Sequence, residues 1–128
     1  MPGLVGSHAG FDGACPWVGN DVTVGAIVNF FGPTRPPGML ETVPAQLRPA
    51  TYFDGSQPPV LTIHGDADSV VPIASAREMG RAIVAARGVH DLLLITGGVH
   101  GLDNWNSDQL NAAWARVREF LARHDLLP

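Results

Sequence analysis

Two carboxylates and an imidazole stand where they could share a proton. His64-Gly65-Asp66-Ala67-Asp68-Ser69-Val70-Val71-Pro72 follows an apolar run, and Gly97-Gly98-Val99-His100-Gly101 follows another. A histidine can move a proton only when something fixes its tautomer, and a neighbouring carboxylate does so. An acid after one strand and a histidine after the next is the second half of a Ser-acid-His triad in which the nucleophile comes first in the chain. The first half would be a Gly-x-Ser-x-Gly turn, and none occurs in these 128 residues. Asp68 is preferred to Asp66 as the acid, because Asp66 begins the turn and Asp68 lies further along it. The alternatives are plain ones. Both aspartates could cap a helix starting near Pro72, and His100 could be an ordinary loop histidine.

Three apolar runs must position these groups. Val24 to Phe31 is short, β-branched and closed by Gly32-Pro33, which favours a buried strand. Val60 to Ile63 and Asp91 to Thr96 have the same character. Ile73, Ala76, Met79 and Ile83 fall at helical spacing up to about Ala86. Pro72 suits the first turn of that helix, and Gly88 its stop. Ser107 is a candidate N-cap for a last helix, with Leu110, Ala113, Trp114, Val117, Phe120 and Leu121 as its apolar stripe. Arg118 and Arg123 lie towards its negative end.

Between these elements lie breakers. Residues 1–23 are crowded with glycine, and 32–59 hold seven prolines. A loop that long is usually functional, a lid or binding loop, and a short helix over Leu40 to Leu47 would fit inside it. The order strand, loop, strand, helix, strand, helix predicts an α/β domain with about three mostly parallel strands and flanking helices. Functional residues of such sheets gather at the C-terminal ends of the strands, where Asp66, Asp68 and His100 fall.

Composition narrows the chemistry. The chain predicts one domain over 1–128, with roughly two-thirds of its surface buried on folding. All eight basic residues are arginine. Without lysine there is no Schiff base, no P-loop lysine and no Ser-Lys dyad. A net charge of −4 and no basic patch make nucleic acid an unsuitable partner. No apolar stretch reaches the roughly 20 residues needed to span a bilayer. No signal peptide is visible, which predicts the cytoplasm if Met1 is the native start. Cys15 is the one cysteine, so no internal disulfide forms. Charged residues are 16% of the chain, few enough to suggest a surface meant to be covered.

Four segments resemble a known family. These are Ala26-Ile27-Val28-Asn29-Phe30-Phe31-Gly32-Pro33-Thr34, Arg48-Pro49-Ala50-Thr51-Tyr52, the segment from Pro58 to Pro72, and Gly97 to Gly101, with Val99 where glycine is usual. Phe11 to Trp17 adds a fifth likeness. Together they resemble the C-terminal part of an α/β-hydrolase of the esterase/lipase superfamily, on the feruloyl- and acetylxylan-esterase-like branch related to hormone-sensitive lipase. The resemblance implies a partial α/β-hydrolase fold. Asp68 becomes the triad acid, His100 the base, and His64 and Asp66 structural members of the turn. The nucleophile turn and oxyanion loop would lie in an absent N-terminal half.

Gly6-Ser7-His8-Ala9-Gly10 does not supply the nucleophile, because no strand precedes it and Ser7 is one position off. Cys15 sits in a Gly/Pro loop. The leading expectation is a fragment of a serine carboxylester hydrolase, inactive alone, whose complete form takes a small-molecule ester. It would need no metal or other cofactor. A non-catalytic, partner-binding remnant and a prolyl-oligopeptidase-like peptidase fragment are the alternatives. Asp66-x-Asp68 also fits the Mg²⁺-binding pattern of haloacid-dehalogenase-like phosphatases. His64-Gly65 intervenes there, however, and the expected lysine is missing. His64, Asp66, Asp68 and His100 match no zinc spacing. If the strand at 24–31 lacks its neighbour, its open edge predicts self-association or binding of a missing half.

Overall fold

A computed structural model describes residues 23–33, 44 and 48–128. Three strands form one parallel sheet in chain order: β1 (Ile27–Phe30), β2 (Val60–Gly65) and β3 (His90–Ile95). Ile27 pairs with Val60, and Phe30 with Ile63. Val60 pairs with His90, and Gly65 with Ile95. Parallel strands need crossovers, and helix α1 (Ile73–Ala85) supplies the one between β2 and β3. Helix α2 (Ser107–Arg123) follows β3. The expected α/β architecture with flanking helices is therefore present.

The central strand explains the two cores. All six residues of β2 are buried, and its side chains alternate between faces. Leu61 and Ile63 pack with Ile95, Trp105, Ala113 and Phe120 on the α2 side. Val60 packs with Met79 and Ile83 of α1 on the other. Ala76, Met79, Gly80 and Ile83 form the buried stripe of α1. Gly80 is there because a Cβ would come within 2.6 Å of the His90 ring.

Element boundaries differ from expectation for local reasons. β1 covers only part of 24–31, because pairing with β2 starts at Ile27 and Phe31 turns to φ 41°. β2 runs on to Gly65, and β3 starts one residue early at His90. Pro72 precedes α1 rather than entering it. The left-handed residue after α1 is Arg87 (φ 64°), not Gly88. Arg87 and Gly88 donate their N–H groups to Val84 and Ile83 at 2.9 and 2.8 Å, a complete Schellman cap. Asn106, not Ser107, is the N-cap of α2. Its side chain accepts from the Gln109 N–H, and the Gln109 side chain accepts from the Asn106 N–H. Pro49–Tyr52 forms a single 3₁₀ turn. The helix expected at 40–47 lies outside the described residues, apart from Pro44.

Candidate functional site

Two backbones meet at the carboxyl ends of β2 and β3, and glycine lets them. Any Cβ on Gly65 would collide with the Gly98 backbone, and one on Gly98 would crowd the Gly65 Cα. With both bare, the Ala67 N–H donates to the Gly98 carbonyl at 3.0 Å, and the Asp66 N–H to Ile95 at 3.1 Å. Asp66 joins the loops by its side chain as well, accepting the Gly97 N–H at 2.7 Å. That contact across the loops is its role here. Neither aspartate is the N-cap of α1; that position is Pro72, which makes no side-chain cap.

Asp68 faces the other way. One carboxylate oxygen, Oδ1, accepts the N–H groups of Val70 and Val71 at 2.9 and 2.8 Å. The second, Oδ2, lies 2.8 Å from His100 Nδ1. The side chain is fully buried. Burial alone would raise the Asp68 pKa. The Val71 N–H, the His100 hydrogen bond, the Val70 N–H and the His100 charge together outweigh it and hold the carboxyl below its ordinary 3.8. The sequence-derived pair of Asp68 and His100 is thus in contact. Because Oδ2 accepts, His100 carries its proton on Nδ1, and Nε2 is left with a free lone pair. The His100 side chain is 37% exposed, whereas that of Asp68 is fully covered.

The histidine loop is held from three sides. The Trp105 indole N–H donates to the Val99 carbonyl at 2.7 Å, and Asn104 Nδ2 donates to the His100 carbonyl at 3.0 Å. The Phe31 ring lies against the imidazole, centroids 5.0 Å apart, and meets Trp105 edge-on at 5.6 Å. Phe31 does this from a left-handed backbone, rare for an aromatic residue. Trp105 is a packing and anchoring residue, 5% exposed. Little in the residue pattern pointed to Phe31 or Asn104. Gly32-Pro33 marks a turn after Phe31, but nothing in the pattern says which ring it presents.

Other sequence candidates separate. Asp66 and Asp68 serve different partners. Among the described residues, no group of three or more His, Cys, Asp or Glu could hold a metal ion. Also among them, no helix is long and apolar enough to cross a membrane. Ser7, His8, Cys15 and Trp17 lie outside the described residues.

No family model matches the sequence, and no curated protein matches it. Solved structures do. A thermophilic esterase from the Planctomycetes species Thermogutta terrifontis, with propionate bound, aligns over 91% of this chain and 49% of its own, at 22% identity and TM-score 0.71. Esterase 2 of Thermogutta terrifontis phosphorylated by paraoxon aligns over 82% of this chain and 42% of its own, at 24% identity and TM-score 0.68. The butyrate-bound form aligns over 82% and 45%, at 22% identity and TM-score 0.65. The chain spans less than half the length of these neighbours. At such identities the likeness establishes fold. The architecture is a partial α/β-hydrolase fold: three parallel strands of one open sheet with flanking helices.

Proposed function

We propose that this chain is the acid-and-base portion of a serine carboxylester hydrolase, corresponding to the C-terminal part of its catalytic domain. The observation that carries the reading is the 2.8 Å contact between His100 Nδ1 and the one Asp68 oxygen that no backbone N–H occupies. The likeness to esterases supports the reaction class, and the propionate and butyrate bound in the neighbours favour a small carboxylic acyl group.

In the complete enzyme a serine from outside these 128 residues attacks the ester carbonyl. His100 Nε2 takes the serine proton, and Asp68 stabilises the imidazolium so formed. His100 then gives that proton to the departing alcohol. Water repeats the cycle on the acyl-serine and restores the serine. Asp66 ties the two loops together throughout, and Trp105 and Asn104 hold the histidine loop in place. The chain by itself has no Gly-x-Ser-x-Gly turn and does not turn over.

A second feature suits the incomplete state. Among the described residues β1 is paired on one side only, and an edge left open there would accept a strand from the missing half or from a second copy. The test is intact mass after exposure to a fluorophosphonate probe, with His100→Ala alongside. No adduct is expected. A single adduct that depends on His100 would place an activated serine within the chain and overturn the reading of a missing nucleophile. Proton NMR checks the pair itself. A hydrogen-bonded His100 Nδ1–H signal that Asp68→Asn abolishes is expected, and its absence from the parent chain would sink the triad assignment.

A further inference from the structure

One buried histidine is not used by the chemistry above. His64 is the last residue but one of β2, is fully buried, and by the strand's alternation points to the α1 side of the sheet. Its Nε2 lies 2.8 Å from the Val71 carbonyl and 3.5 Å from Asp68 Oδ2. A carbonyl can only accept, so Nε2 carries the hydrogen. The other nitrogen, Nδ1, is buried without a hydrogen-bond partner. As a core filler this side chain is a poor choice, since a phenylalanine or methionine would fill the space with no orphaned polar atom. What the imidazole supplies is one N–H aimed at one place.

That place is the peptide that grips the acid. The Val71 carbonyl receives the His64 N–H, while the Val71 N–H donates to Asp68 Oδ1. We infer that His64 is a positioning residue for the acid. It anchors Val71, so that Oδ1 stays on the backbone and Oδ2 stays turned to His100. The inference rests on the Asp68–His100 pairing of the proposed function and extends it from two residues to four: His64, Val71, Asp68, His100.

The test is the tautomer of His100, read by long-range proton–nitrogen NMR on the whole chain above the imidazole titration range. His64→Phe and His64→Met keep the volume and remove the donor. His64→Gln keeps an N–H near the Nε2 position. Expected is loss of the Nδ1–H preference in the Phe and Met variants, towards the level of Asp68→Asn, and retention in Gln. A purely structural role would leave all the folded variants alike. Should Phe and Met fail to fold, His64→Asn replaces them, because its shorter amide does not reach Val71. Equal tautomer populations in Asn and Gln would then overturn the inference. Asp68→Asn separates the two failures. If it leaves the tautomer unchanged, the pairing and the proposed function fall. If it shifts the tautomer and the His64 variants do not, only the positioning role falls.

Discussion

The carboxyl ends of β2 and β3 and the outer side of β1 are built on opposite principles. At the strand ends, polar groups close on one another: Asp66 on Gly97, Asp68 on Val70, Val71 and His100, Trp105 on Val99. All of these partners lie within residues 64–105. On the β1 side the contacts are apolar and unfinished. Trp114 packs on Phe30 with centroids 5.7 Å apart yet is 46% exposed, and Val24, Leu126 and Leu127 are exposed with it. The difference teaches that the Asp68–His100 geometry is set by local hydrogen bonds, whereas the surface beside β1 leaves apolar side chains exposed. Such a segment can hold an acid and a histidine together by itself, because hydrogen bonds across two short loops set the angle and distance.

The largest way to break this comparison is to remove what both regions share. Phe120 is fully buried in the cluster that joins β2, β3 and α2. Phe120→Ala should cost about 3–5 kcal/mol by lost burial and the cavity left behind, enough to unfold a marginal domain. Urea unfolding followed by circular dichroism checks it. A cost below about 1 kcal/mol would mean that the core does not carry the sheet.

Next is the polar region. Asp68→Ala strips the acceptor from two backbone N–H groups and from His100. Leaving buried donors unpaired costs about 1–3 kcal/mol, and the melting temperature reads it. The carboxyl's lowered pKa gives the sign of its pH dependence. Its contribution is full above the unfolded value near 3.8 and is lost as pH falls through the lower folded value. In Asp68→Ala that acid-side loss should flatten.

How much of this was legible in the sequence follows the same division. Short apolar runs between breakers gave the three strands, and helical spacing gave α1 and α2. Chain order with the glycine pairs pointed to Asp68 and His100, which the fold brings into contact. Two contacts were hidden, because each depends on a distant partner or on a backbone angle. Phe31 reaches His100 only because its φ is positive. Asp66 looked like a spare acid or a cap, and its partner Gly97 is 31 positions away. Asn106 was passed over for Ser107, although Gln109 three residues on is the sign of a capping box. Gly88 drew the helix stop for the usual reason, yet the Schellman bonds tolerate Arg87 at the left-handed position.

A buried polar pair on the α1 face gives a smaller, pH-dependent effect. Asn29 Nδ2 donates to Thr62 Oγ1 at 3.5 Å, which leaves the Thr62 hydroxyl to donate to His90 Nε2 at 3.0 Å. Burial pushes the His90 pKa below its ordinary 6.5, with Asp91 opposing in part. The unfolded chain therefore takes up this proton first as pH falls. Stability from His90 is intact above 6.5 and declines as pH drops towards the lower folded value. The melting temperature should fall as pH drops below the ordinary 6.5, and His90→Gln should remove part of that fall. An unchanged pH slope in the variant would count against a neutral, hydroxyl-bonded His90.

The smallest effect sharpens the comparison most, because it separates stability from association. Trp114 covers Phe30 but is itself nearly half exposed. Trp114→Ser should therefore cost about 1 kcal/mol, the scale of one aromatic contact, and leave the His100 tautomer untouched. If the β1 side is a surface awaiting a partner, the indole matters to assembly more than to folding. The parent chain should elute larger than one copy as its concentration rises in size-exclusion chromatography, and Trp114→Ser should shift towards the monomer. A destabilisation as large as that of Phe120→Ala would make Trp114 a core residue. The two regions would then be one. Monomeric elution of the parent at every concentration would instead leave the free edge of β1 blunted by its own shortness, since four residues offer few hydrogen bonds to a second strand.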